Sequence, residues 1–372
     1  MAVIFALPVG GNPGMLSVEA AFESFRRRHE LGCEPRFYSL ESGPDAPGAL
    51  QRRSLEAEWE EVLAADAILY WGDFQQARRF HRIDLLRRSA GDRSERADLM
   101  ERSYRHLLLQ GAENEVLEKT ILFGGSLLSD DIGDACDPTY RSTALRFFSR
   151  AHEIWMRDPV STALAAGLSN YTRPIRPGID CALLLEPLRP TDGIRRRRRG
   201  VCGVSFGRSV RLRRSRRFAE VLSDRVKADI RELAWFNSEI PLERKLQTLA
   251  NCDFVVTDIY NLAVNAWREG VPAVCIGAGS DRRIGTLTDK KKEIFYLGYG
   301  ARPFYVFGES LRGEDALLAE TERVASLLAR PALSEAIVAR MRLQARQVEQ
   351  DLAETLKALL KRRRVFGRLA WR

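Results

Sequence analysis

Short apolar runs alternate along the chain with longer stretches in which apolar residues recur every three or four positions. The runs Val3–Leu7, Ala67–Trp71, Thr120–Phe123, Ile154–Met156 and Ala182–Leu185 are apolar almost throughout and bounded by Gly, Asp or Pro. That is the pattern of parallel strands covered on both faces. Between them the spacing predicts helices over Val18–Arg28, Glu56–Ala64 and Thr143–Ala151. A short helix follows Met156, with Asp158 placed to cap it, Pro159 at its first position and Gly167 after its end. The alternation breaks at Glu186–Gly200, where two prolines, a glycine and five consecutive arginines read as a linker. It then restarts with strands at Val201–Ser205, Phe254–Thr257, Ala273–Ile276 and Phe304–Val306, and with helices over Arg216–Ile230 and Asn261–Glu269. Leu333, Ile337, Met341, Ala345, Val348, Leu352 and Leu356 stand at helical spacing in a stretch free of Gly and Pro, which predicts one long amphipathic C-terminal helix.

Repeated strand–helix units on both sides of a linker predict an α/β protein of two Rossmann-like domains. The expected boundaries are 1–186, a basic linker at 187–200, 201–330, and a C-terminal helix with a basic tail at 331–372. A length of 372 residues agrees with two cores rather than one. The apolar start carries no basic segment before it and ends in Pro-Val-Gly-Gly, so it reads as a buried strand and turn rather than a leader. No window reaches the roughly 18 uninterrupted apolar residues of a spanning helix, and the expected location is cytoplasmic. The six cysteines form no CxxC pair and no metal-ligand spacing with His, so neither disulfides nor a metal is expected.

The net charge of +9 changes the picture only in part. Only eight of the 59 basic residues are lysine, and an arginine excess of that kind follows codon bias as readily as function. No nucleic-acid module accompanies it, and aromatics are not interleaved with the basic runs, which leaves phosphorylated small molecules and an anionic membrane surface as partners. The tail KRRRVFGRLAWR, from Lys361, places Val365, Phe366, Leu369 and Trp371 beside its basic residues, as a peripheral contact with anionic lipid or a plain basic tail would.

Candidate chemistry gathers in loops that directly follow strands, where ligands of open parallel sheets bind. Gly11 and Asn12 lie in GGNPG, Gly72 and Asp73 in WGD, and Gly125 and Ser126 in GGS. Each also has the ordinary reading of a tight turn. In the second half Arg208 and Ser209 follow the strand VCGVSFG, where an arginine can hold a carboxylate or phosphate in two-point fashion. Lys290, Lys291 and Lys292 close a glycine-containing stretch and read as a lid over an anionic donor or as an exposed helix start.

Two longer stretches carry a resemblance. IWMRDPVSTALAAGL followed by GIDCALLL supplies Arg157, Asp158, Ser161 and Asp180; VVTDIYNLAVNAWREGVPAVCIG supplies Val255, Val256, Thr257, Asp258, Gly270 and Pro272. With the GGS and N-terminal GN loops, their order and spacing resemble the polysaccharide pyruvyl transferase family over roughly residues 1–300. The resemblance implies a GT-B-like arrangement of the two domains, with the reaction at the cleft between them. It further implies transfer of the three-carbon unit of phosphoenolpyruvate, as donor substrate with no separate cofactor, onto two hydroxyls of a glycan or lipid-linked saccharide. On that reading Arg208, Ser209 and Lys290–Lys292 bind the donor, while Asn12, Gly11, Gly72, Gly125, Ser126, Arg157 and Asp158 line the acceptor side. The chain departs from the family where Asn261 stands in place of a His and Ile259 in place of an Arg. An amide cannot exchange a proton near neutral pH, so the catalytic candidates become Asp258, Asn261 and Asp73. The alternatives are a GT-B glycosyltransferase using a sugar nucleotide and a non-catalytic binding subunit of a polysaccharide assembly. The histidines His29, His81 and His106 fall in basic helical stretches and read as surface residues, and His152 as a helix-end residue.

Overall fold

Apolar runs too short for helices collapse here into two all-parallel sheets, each covered by helices. The computed structural model describes residues 1–5, 12–40, 50–72, 75–78, 80–81, 93–128, 138–188, 200–207, 212–277 and 287–369. The chain divides into two units: Met1–Gly10, Val18–Leu184 and Arg346–Arg372 form one, and Gly11–Ser17 with Leu185–Ala345 the other.

The first unit contains β1 (Ala2–Phe5), most of α1 (Pro13–His29), β2 (Arg36–Ser39), β3 (Arg53–Ser54), α2 (Trp59–Ala64), β4 (Ile68–Trp71) and α3 (Arg93–Leu107). It continues through α4 (Asn114–Leu117), β5 (Thr120–Gly125), α5 (Pro138–Arg150), β6 (Glu153–Met156), α6 (Pro159–Leu168) and β7 (Arg176–Pro177). The sheet order is β3-β2-β1-β4-β5-β6-β7, the doubly wound order in which the chain reverses direction across the sheet between β1 and β4. β1, β4 and β5 are buried at every position, as strands covered on both faces must be. The core on one face gathers Ile4, Tyr70, Leu122, Phe147, Phe148 and Met156, among others.

In the second unit β8 (Gly200–Ser205), α7 (Leu212–Val226), β9 (Ala228–Glu232), α8 (Leu242–Ala250), β10 (Phe254–Thr257) and α9 (Tyr260–Arg268) are followed by β11 (Ala273–Gly277) and α10 (Leu287–Gly298). Then come β12 (Tyr305–Phe307), α11 (Glu314–Leu328) and α12 (Pro331–Leu369), the last shared between the units. The order β12-β11-β10-β8-β9 puts the reversal between β8 and β10. Thus both halves are Rossmann-like α/β sheets.

Three expectations shift. Ala182–Leu185 is not a strand: Cys181–Leu184 forms a 3-10 turn, started by Asp180, whose Oδ1 accepts the Ala182 N–H at 3.0 Å. A buried run of four apolar residues suits a tight helical turn as well as a strand. The helix expected to reach Ile230 stops at Val226, because Lys227 turns to φ 55° and the chain enters β9. The capped helix after Met156 runs two residues further than predicted, so Gly167 lies inside it rather than after it. Among the described residues no helix is long and apolar enough to cross a membrane.

Candidate functional site

The reversal between β8 and β10 leaves an opening at the carboxyl ends of the strands of the second unit, the place where doubly wound sheets take ligands. Two side chains organise it. Thr257 donates its hydroxyl to the Ser205 carbonyl at 2.7 Å and accepts the Ile259 N–H at 3.0 Å, which ties the two strand ends together. Asp258, almost wholly buried, accepts the Gly207 N–H on Oδ1 at 2.9 Å. Helix α9 starts immediately afterwards, and Ile259 at its N-cap position offers no capping side chain. The positive end of its dipole therefore lies at the opening. Lys291 of α10 stands 4.8 Å over the ring of Tyr260, the first residue of α9, and adds a cation beside that helix start.

Residues 12–17, which open α1, belong to this unit and meet α9 closely. Asn12 caps α1: its Oδ1 accepts the Gly14 N–H at 3.0 Å. The same oxygen accepts from Asn261 Nδ2 at 3.2 Å, and Asn261 Oδ1 in turn accepts the indole N–H of Trp235 at 3.0 Å. One turn later Asn265 Nδ2 donates to the Asn261 carbonyl at 2.7 Å and to Ser17 Oγ at 3.2 Å, while its Oδ1 is buried without a partner. The first turns of the two helices come this near because residue 14 is glycine. A Cβ there would lie 2.7 Å from Asn261 Cγ and 2.8 Å from Asn261 Cβ. Asn261, expected as a catalytic group, thus has both ends of its amide committed to holding neighbours.

In the first unit the expected acceptor residues turn out to hold each other. Asp158 caps α6, accepting the Ser161 N–H at 2.8 Å and the Ser161 hydroxyl at 2.7 Å; Ser126 Oγ lies 3.3 Å from its Oδ2. Ser161 Oγ accepts the Leu127 N–H at 2.9 Å, so the spacing of Asp158 and Ser161 ties the end of β5 to the start of α6. Arg157 faces Asp180 at 3.7 Å. Replacing Asp158 with Ala is therefore expected to cost about 1–2 kcal/mol of stability, as loss of a helix cap does, with donor affinity unchanged. Urea unfolding and a donor titration on the same protein check it. An unchanged unfolding midpoint with lost activity would return Asp158 to the acceptor side.

Gly72 after β4 and the glycines that end β5 answer to packing as well. Gly72 and Gly124 both sit at positive φ, and a Cβ on Gly124 would run into Cys181 Sγ. Gly125 completes a bulge in the pairing of β5 with β6. At the β1–β4 reversal of this unit, Gln75 Nε2 donates toward the carbonyls of Ile4, Trp71 and Gly72 at 3.2, 3.3 and 3.0 Å. Its side chain thus fastens the ends of β1 and β4 together at the reversal. Sequence reasoning passed over both Gln75 and Trp235, since a lone Gln in a loop and a lone Trp in an apolar stretch carry no spacing signal.

The lysine triplet divides. Lys290 is exposed, Lys291 covers Tyr260, and Lys292 is buried, donating to Asp289 at 2.8 Å and to the Ile276 carbonyl at 3.3 Å. Lys292 thus fastens α10 to β11 rather than standing in a lid. Gly11, Asp73, Arg208 and Ser209 lie outside the described residues, as do the arginine run at 195–199 and the side chains of the tail beyond residue 362. Two histidines expected at the surface are buried: His81 and His106. None of the five described cysteines is in a disulfide, and burial pushes the Cys202 and Cys275 thiols up to about 12, which keeps them neutral. Among the described residues no group of three or more His, Cys, Asp or Glu is placed to hold a metal ion.

No protein-family model matches the chain, and no curated protein matches it. Solved structures with a similar course include the UDP-GlcNAc 2-epimerase of Neisseria meningitidis bound to UDP-GlcNAc, 9% identical over 96% of this chain and 99% of that one, with a TM-score of 0.49. Spinosyn forosaminyltransferase is 13% identical over 97% and 99%, with a TM-score of 0.44. Sucrose-phosphate synthase from Thermosynechococcus elongatus is 12% identical over 98% of each chain, with a TM-score of 0.40. Likenesses at this level leave the chemistry to be argued from the residues themselves.

Proposed function

We propose that the chain is a transferase that holds a phosphorylated donor at the opening between β8 and β10 and passes part of it to a saccharide hydroxyl. The observation that carries this reading is the start of α9 at the sheet reversal, beside the buried carboxylate of Asp258 and under Lys291. The positive end of the α9 dipole and a cation favour the phosphate. Asp258 supplies the base that the attacking hydroxyl requires, since Asn261 cannot take a proton.

The donor is phosphoenolpyruvate, on the resemblance of the Arg157–Asp180 and Val255–Pro272 stretches to pyruvyl transferases. One acceptor hydroxyl adds to the enol carbon that carries the phosphate while the methylene carbon takes a proton. A second hydroxyl of the same sugar then displaces phosphate to close the ketal. Of the two hydroxyl protons, one ends on carbon and the other on phosphate. A sugar nucleotide is the second reading, because two doubly wound parallel sheets suit a glycosyltransferase equally well. Incubation of the protein with each donor and a mixed saccharide acceptor separates them: phosphate release answers for the first and nucleoside diphosphate release for the second. Asp258→Asn keeps an oxygen for the Gly207 N–H and is expected to lower the transfer rate by about 10²–10⁴-fold, the range of general-base catalysis. If neither donor is consumed above the rate without protein, the transferase reading falls.

A further inference from the structure

We infer that Trp235 is a positioning residue which, through Asn261, fixes the side-chain amide of Asn12 so that it offers the ligand hydrogen-bond donors and no acceptor.

Donor and acceptor capacity alone fixes the orientation of each amide. An indole N–H only donates, so the atom 3.0 Å from Trp235 Nε1 must be the oxygen of Asn261. The Asn261 nitrogen then faces Asn12 at 3.2 Å, and because an amide NH2 has no acceptor capacity, the Asn12 atom opposite must be oxygen. The Gly14 N–H, at 3.0 Å, requires the same oxygen independently. Two separate donors therefore agree on the orientation of Asn12, where an amide is otherwise free to face either way. Both acceptor directions of Oδ1 are used. Nδ2 makes no hydrogen bond among the described residues, and Asn12 is half-buried at the start of α1.

A donor-only group of this kind suits oxygen atoms without protons, the phosphate or carboxylate of the anionic donor, and disfavours a donating ammonium. The inference rests on the transferase reading for the identity of that ligand, but the polarity of the relay does not. Asn at 261 gives the relay its direction: it passes the polarity of Trp235 to Asn12 unchanged, whereas a carboxylate there would turn an oxygen toward Asn12.

Three variants and one spectrum test it. Asn12→Asp keeps an oxygen for Gly14 and Asn261, and Asp caps helices as well as Asn does. It replaces only the outward NH2 with an anionic oxygen. The expected result is a fold and thermal midpoint like the parent's, with KM for the anionic donor raised by about tenfold or more and kcat much less affected, as befits loss of a hydrogen bond to a charged group. Trp235→Phe removes the N–H that sets the relay and is expected to raise the same KM by about three- to tenfold, the range for a neutral hydrogen bond. Asn261→Asp points an oxygen at Asn12 and is expected to match Asn12→Asp. Unchanged KM in folded Asn12→Asp overturns the inference.

The spectrum decides the polarity whether or not transfer is found. In the ¹⁵N-labelled parent the side-chain NH2 of Asn261 is expected to be protected from exchange and that of Asn12 to exchange as an open amide does. In Trp235→Phe the protection of Asn261 is expected to drop. Protected Asn12 protons beside open Asn261 protons would mean the relay runs the other way and would sink the inference. Loss of transfer activity with the expected spectrum would sink only the transferase reading.

Discussion

Gly14→Ala is expected to destabilise the second unit by about 3 kcal/mol and to abolish tight donor binding, the upper part of the range for forcing a group into a full site. The added carbon would fall inside contact distance of the Asn261 side chain, 2.8 Å from its Cβ. A side-chain rotation cannot clear the Cβ, which moves only with the backbone of α9. The chain is then left with two costly responses. Either the first turns of α1 and α9 separate far enough that the Asn12–Asn261 and Ser17–Asn265 bonds lengthen together, or they separate only as far as the Cβ contact demands and Asn261 also leaves its rotamer, giving up Trp235 and Asn12. Urea unfolding of Gly14→Ala, Asn261→Ala and the double variant measures which. Asn261→Ala removes the Cγ and Nδ2 contacts, so the double variant is expected to be more stable than the sum of the singles by about 1 kcal/mol or more, the size typical of touching residues. Strict additivity would mean that the helices do not approach through residue 14.

Residue 14 also illustrates what was legible in the sequence. The Gly-Asn-Pro-Gly stretch announces a strand-to-helix turn, and its glycines announce a close approach of some backbone. What approaches is the helix that starts at Tyr260, almost 250 positions later, and no local pattern points there. The same holds for the stretches that carry the family resemblance. Asp158 and Ser161 look like site residues because their types and spacing suit chemistry, yet that spacing is also that of a capped helix whose cap holds a neighbouring strand end. Asp258 was legible for a better reason: a carboxylate directly after an apolar strand is at the ligand-binding edge of any parallel sheet.

For the fold, strands buried on both faces were readable because nothing else is so short and so apolar. β1, β4, β5, β6, β8, β10 and β11 fall within a residue or two of the expected runs. Of the strands toward the sheet edges, β12 was readable, one residue from the expected Phe304–Val306, whereas β2, β3, β7 and β9 were not. β9 reads ADIRE, with all but its first residue exposed, and continues the polar pattern of the helix before it. β3 and β7 are two residues each, and β2 begins with Arg36 at the surface. An edge strand has only one partner and one covered face, so its sequence need not be apolar. The histidines failed for a related reason: burial of a single polar side chain within an otherwise basic stretch is decided by tertiary partners that the stretch does not contain.

His81 is where that burial has the largest consequence: between pH 7.5 and pH 5 the first unit is expected to lose about 2 kcal/mol of stability through this residue alone. Ser103 gives its hydroxyl proton to the Met100 carbonyl at 2.7 Å, so the contact at 2.7 Å between His81 Nδ1 and Ser103 Oγ has the imidazole N–H as donor. Nε2 is then the bare nitrogen, and it is buried; the Gln75 backbone favours a proton on the ring, but burial outweighs it. Burial accordingly pushes the folded-state pKa of His81 down to about 3, against about 6.5 for the unfolded chain. The sign follows directly. Above pH 6.5 both states are neutral and the residue costs nothing. As the pH falls below about 6.5 the unfolded chain binds a proton that the folded chain refuses, so stability declines until the folded pKa is passed. His106 and His152, both shifted downward mainly by burial, act in the same direction. Asn at 81 retains an N–H for Ser103 and does not titrate. Urea unfolding of the parent and of His81→Asn at the two pH values is the measurement. The variant's pH dependence is expected to be smaller than the parent's by about 2 kcal/mol, whatever the substitution costs at pH 7.5. An equal pH dependence in both proteins would mean that His81 gains its proton in the folded state as easily as in the unfolded one, and hence that the bare Nε2 meets solvent.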